Sequence, residues 1–155
     1  MSKPTFVYVT YINTTPEKLW EALTSPDFTQ KYWGGVRQES DWKVGSPWRL
    51  VMPSGEVWDT GEVLEVDPPR RYVVSWRHEH FDDLRDVGET QQSVDVEPWE
   101  GYLKLTITHE APEGGEKFIE AVSGGWPAIL ASLKTMLETG KALPGSDRMP
   151  DQSHN

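Results

Sequence analysis

Between Val36 and His109 the chain is punctuated by turn-forming clusters, Val44-Gly45-Ser46-Pro47, Pro53-Ser54-Gly55, Asp67-Pro68-Pro69 and Glu97-Pro98-Trp99-Glu100-Gly101, and between them apolar and polar residues alternate. A period of two sends successive side chains to opposite faces of a strand. Trp48, Leu50 and Met52 alternate with Arg49 and Val51, and Tyr72, Val74, Trp76 and His78 alternate with Arg71, Val73, Ser75 and Arg77. Leu103, Leu105, Ile107 and His109 do the same with Tyr102, Lys104, Thr106 and Thr108. Strands joined hairpin after hairpin form an antiparallel sheet, and its apolar face needs a cover. The cover lies near the C-terminus, where Phe118, Val122, Trp126, Leu130, Leu133 and Leu137 recur at the spacing of one helical face from Glu116 to Glu138. Gly140 stops this helix, and Pro127, with Gly124-Gly125 before it, predicts a kink inside it.

The N-terminal third supplies the remaining elements. Phe6 to Ile12 reads as a first strand with apolar residues on both faces. Thr15-Pro16-Glu17 then offers an N-cap, a proline at the first helical position and a carboxylate in the positive first turn. A short helix follows with Leu19, Trp20 and Leu23 facing inward, and Ser25-Pro26-Asp27 starts a second that runs through Tyr32 to Gly34-Gly35. Glu79 to Ser93 is dense in Asp, Glu and Gln and predicts a long mobile loop. Residues 144–155 show no apolar periodicity and predict a disordered tail, which leaves residues 1–143 as one domain. The expected class is α+β: a curved antiparallel sheet, with two short helices after its first strand, wrapped around one long C-terminal helix.

Composition removes several function classes. The chain has no cysteine, so disulfides, thiolate metal sites and cysteine nucleophiles are excluded. Acidic residues outnumber basic ones 25 to 15, a balance that repels nucleic acid and anionic lipid surfaces. With no signal peptide and no apolar run near the length of a membrane span, the expected location is the cytoplasm. No nucleotide loop, metal signature or catalytic triad is present, so no cofactor is expected. The abnormal count is eight tryptophans in 155 residues, an aromatic surplus that calls for a use.

The order of elements resembles the helix-grip fold of the START and birch-pollen-allergen superfamily, SRPBCC. The residues Thr14-Thr15-Pro16-Glu17-Lys18-Leu19-Trp20-Glu21-Ala22-Leu23-Thr24 and Val63-Leu64-Glu65-Val66-Asp67-Pro68-Pro69-Arg70-Arg71-Tyr72 with Trp76 narrow it. So do Leu105-Thr106-Ile107-Thr108-His109-Glu110 and Gly125-Trp126-Pro127-Ala128-Ile129-Leu130 with Leu133-Lys134. Together they are similar to the branch homologous to activators of the ninety-kilodalton heat-shock protein ATPase. The superfamily hosts lipid carriers, cyclases and hydroxylase domains, so the resemblance implies a fold before an activity.

A sheet curled around the final helix points Trp48, Leu50, Tyr72, Val74, Trp76, Leu103, Leu105 and Ile107 inward to meet Trp126, Leu130 and Leu133. Such an interior suits a small apolar or aromatic ligand, since ring faces stack and an indole N–H fixes orientation. His78 and His109 fall on the same inward parity, where an imidazole can hold a ligand or move a proton. His78-Glu79-His80 with Asp82 and Asp83 is not taken as a metal site. The first expectation is therefore binding of a hydrophobic or aromatic small molecule. The second is a cyclase, dehydratase or hydrolase in the same cavity with Tyr72, His78 or His109 as acid or base. The third, implied only by the resemblance, is a co-chaperone acting on a heat-shock ATPase; a homodimer partner is a further expectation.

Overall fold

The computed structural model describes residues 3–147. Strands β1 (Thr5–Ile12), β2 (Arg37–Ser40), β3 (Pro47–Val51), β4 (Val57–Asp67), β5 (Arg71–His78), β6 (Glu89–Trp99) and β7 (Tyr102–Glu110) form one antiparallel sheet in the order β1-β7-β6-β5-β4-β3-β2. Helices α1 (Pro16–Thr24) and α2 (Pro26–Tyr32) link β1 to β2, the two edges of the sheet. A single turn of helix, α3 (Asp82–Arg85), lies between β5 and β6, and the long α4 (Glu116–Thr139) closes the fold. This is the α+β helix-grip arrangement, with α4 packed against β1 on one side and α2 on the other.

The helix starts follow their sequence signals. The Thr15 hydroxyl accepts the Lys18 N–H at 3.2 Å, with Pro16 at the first position and Glu17 in the first turn. Gly140 ends α4 at φ 91°, a left-handed conformation that costs glycine nothing. Between these ends α4 is continuous through Pro127 and buries Phe118, Trp126, Leu130, Leu133 and Met136. Val122 and Leu137 pack at the margin of the same core.

The acidic segment differs from expectation. Glu89 to Ser93 is not loop but the start of β6, paired from Arg77↔Glu89 to Val73↔Ser93. The period of two is present there, but its inward members are Thr90 and Gln92, polar residues that are nonetheless buried. Thr90 Oγ1 donates to the Trp76 carbonyl at 2.8 Å, which satisfies it within the core. Only residues 79–88 remain as connection, and they carry α3.

The beginning of the expected tail is also structured. Pro144 to Asp147 form a turn whose Ser146 carbonyl accepts the Gly34 N–H at 2.6 Å and whose Ser146 hydroxyl donates to the Lys31 carbonyl at 3.1 Å. The rest of that tail, residues 148–155, lies outside the described residues.

Candidate ligand cavity

Between α4, α2 and strands β3 to β5 lies a cavity of about 690 Å³, in the size range of small-molecule sites. Of the thirteen residues expected to line it, Leu50, Trp76, His78 and Trp126 do so. Trp48, Tyr72, Val74, Leu103, Leu105, Ile107, His109, Leu130 and Leu133 are instead buried in the packed core. Tyr72, Ile107 and Leu130 reach a separate void of only about 10 Å³. The alternation identified the inward face correctly, yet inward is not the same as cavity-facing: the β6-β7 end of the sheet is filled by its own side chains.

The walls that the strand pattern did not reveal come from connections and helices. Trp33 and Gly34 follow α2, Ala121, Val122, Gly125 and Ile129 stand on α4, and Leu143 to Ser146 close one side through the turn docked on α2. Trp33 sits 5.1 Å from Trp126 and 6.3 Å from Trp76, and Trp48 lies 4.6 Å from Trp76, so four tryptophans pack as one cluster beside the cavity. Half of the eight tryptophans, Trp33, Trp58, Trp76 and Trp126, line the cavity.

The polar centre is a group that only the three-dimensional pairing reveals. Asp59 on β4 lies directly opposite His78 on β5. Its Oδ1 accepts the Trp76 Nε1–H at 2.8 Å and bonds His78 Nδ1, also at 2.8 Å. Asp59, Trp76 and His78 are 6, 4 and 7% exposed, so the network is held away from bulk water. Because a carboxylate oxygen accepts, the contact places a proton on His78 Nδ1, and in the neutral ring Nε2 carries the lone pair. Nε2 has no hydrogen-bonding partner among the described residues. The indole nitrogens of Trp58 and Trp126, two more residues of the cavity wall, are buried and unpartnered as well. Leaving such groups unsatisfied costs about 1–3 kcal/mol each, and natural proteins rarely do so without a use.

Rings frame His78. Phe81 lies parallel to it at 5.6 Å and Trp58 meets it edge-on at 6.2 Å. His80, two residues on, would share the His78 face if the strand continued, but β5 ends at His78 and His80 stacks on Trp58 at 4.0 Å. Among the described residues no group of three or more His, Cys, Asp or Glu is arranged to hold a metal.

The other two acid-base candidates are structural in their setting. Burial pushes the His109 pKa down to about 3, and its Nε2 lies 3.0 Å from Thr90 Oγ1. Burial likewise raises the Tyr72 phenol well above its ordinary value, and the ring is wedged between Trp20 and Trp42. Of the three, His78 alone touches the cavity.

Solved structures share this fold. Protein MLL2253 from Mesorhizobium loti superposes with a TM-score of 0.75 at 24% identity, over 87% of this chain and 97% of that one. The Aha1 dimer from Colwellia psychrerythraea gives 0.72 at 23% identity, over 90 and 99%. PFC0360w, an HSP90 activator from Plasmodium falciparum, gives 0.69 at 23% identity, over 86 and 96%. No curated protein matches in sequence. No described helix is long and apolar enough to cross a membrane. The family model described as Activator of Hsp90 ATPase homolog 1-like protein matches residues 13–138, nearly the whole of the folded chain, and the protein belongs to that family.

Proposed function

We propose that the protein binds a small apolar or aromatic molecule in this cavity, in the cytoplasm. The observation that carries this reading is the wall itself: a space of about 690 Å³ framed by Trp33, Trp58, Trp76 and Trp126, with three buried nitrogens that no described residue satisfies. Aromatic walls supply area and stacking, and a few polar atoms supply orientation. The test is a panel of neutral aromatic and acyl probes against the purified chain, read by tryptophan fluorescence and thermal shift. At a hundred times its Kd a ligand should stabilise the fold by about 2.7 kcal/mol. A panel that moves neither signal at saturation removes the reading.

A second reading has an observation of its own. On the outer face of the sheet Tyr11 packs 5.9 Å from both Trp99 and Tyr102, and all three, with Val7 and Val9, stay exposed. Exposed apolar clusters of this kind mark protein contacts. Since one structural neighbour is an HSP90 activator and another an Aha1 dimer, the partner on this face would be a heat-shock ATPase or a second copy. Adding the protein to a purified heat-shock ATPase tests the first partner: stimulation that Tyr11→Ser weakens supports it, and an unchanged rate at molar excess rejects it.

A further inference from the structure

We infer that Asp59 and His78 make the cavity selective for a neutral aromatic molecule carrying a hydroxyl proton, a phenol, whose O–H donates to His78 Nε2. The inference rests on the cavity reading and adds the ligand's chemical class. Three observations carry it. Asp59 Oδ1 already holds the Trp76 Nε1–H and the His78 Nδ1–H, so the ring is oriented and, in the neutral imidazole, its remaining nitrogen is an acceptor. That acceptor has no partner among the described residues, on a side chain more than nine-tenths buried in the cavity wall. Among the described residues the cavity lining contains no lysine or arginine, and its one acidic residue is Asp59 itself. An anionic ligand would find no counter-charge among these residues and would face that carboxyl, so a carboxylate or phosphate is disfavoured. A ligand with only acceptors could take the Trp58 or Trp126 indole N–H but would leave Nε2 without a donor. The group that fits is a neutral proton donor on an apolar body, and the Phe81 and Trp58 rings beside His78 suit an aromatic one.

The test uses the full chain and three probes of nearly equal shape, naphthalene, 1-naphthol and 1-methoxynaphthalene, titrated by calorimetry. One hydrogen bond to a buried acceptor should make naphthol bind about tenfold tighter than its methyl ether. In His78→Phe that ratio should fall to about one while the ether still binds. In Asp59→Asn the amide oxygen can take the place of Oδ1 and keep both the Trp76 Nε1–H and the His78 Nδ1–H, so the naphthol preference should persist and quinoline, an acceptor, should gain nothing. Equal affinity of naphthol and ether in the native protein overturns the selectivity and leaves the cavity reading standing. Failure of all probes to bind overturns both. If His78→Phe does not fold, the native ratio and Asp59→Asn decide the matter, and a naphthol preference that disappears in Asp59→Asn overturns the inference.

Discussion

His109 should give the stability of this protein a recognisable dependence on pH. Burial holds its imidazole neutral in the folded chain and moves its pKa from 6.5 to about 3, whereas the unfolded chain takes up the proton near the ordinary value. Between those two values the unfolded state binds more protons, so stability falls as the pH drops through 6.5, at about 1.4 kcal/mol per unit. From pH 7 to pH 5 the loss is about 2 kcal/mol, set by the unfolded value alone because the folded ring stays neutral throughout. Urea unfolding followed by tryptophan fluorescence at the two pH values, on the native chain and on His109→Gln, isolates this share. Gln can still meet the Thr90 hydroxyl but takes up no proton. Glu39, held below the usual carboxylate range by hydrogen bonds from Arg49 and Arg37, also loses stabilisation in acid, as does Glu138, held down by the Asn13 N–H and Lys134. Both are present in the two proteins and cancel in the difference. If the acid-induced losses of the native chain and of His109→Gln differ by no more than about 0.5 kcal/mol, His109 is not kept neutral by the core.

Three other substitutions test the packing around the site. Leu133→Ala, at a fully buried position of α4, should cost about 2–5 kcal/mol by chemical denaturation, and a cost near zero would mean that the helix is not seated on the sheet. Gly61→Ala should destabilise by about 1–3 kcal/mol or more, because its Cβ would overlap the Ser75 carbonyl oxygen; an unchanged melting temperature would contradict the close approach of β4 to β5. Trp76→Phe removes one of the two N–H groups bound to Asp59 Oδ1 and should cost about 1–3 kcal/mol. A native-like melting temperature there would show that the carboxyl does not depend on the indole.

Most of the fold was legible because its signals are local. Strands β3, β5 and β7 announce themselves by alternation, the turns between strands by Gly and Pro, and the final helix by an apolar stripe. Reading failed where burial was achieved without apolar side chains. The first residues of β6 carry Thr90 and Gln92 inward, and their polarity made a buried strand look like an acidic loop. The turn after Leu143 failed for a related reason: Ser146 holds it by backbone and hydroxyl hydrogen bonds to Lys31 and Gly34, contacts that leave no mark on hydropathy.

The centre of the site was hidden by one residue of register. Counting back from the turn, Asp67 pairs with Arg71, Val66 with Tyr72 and Glu65 with Val73, a rule that would set Thr60 opposite His78 and put Asp59 on the outer face. A bulge between Val63 and Glu65 absorbs an extra residue, after which Val63 pairs with Val74, Thr60 with Arg77 and Asp59 with His78. The slip turns Val63 and Asp59 inward together, one to the core and the other to the imidazole. Gly61, between them, lets β4 press against the Ser75 carbonyl beyond the bulge. Alternation therefore finds His78 and Trp76 but assigns their carboxyl partner to solvent. A bulge changes no composition and little hydropathy, yet here it is what gives an otherwise apolar wall its one buried acidic group.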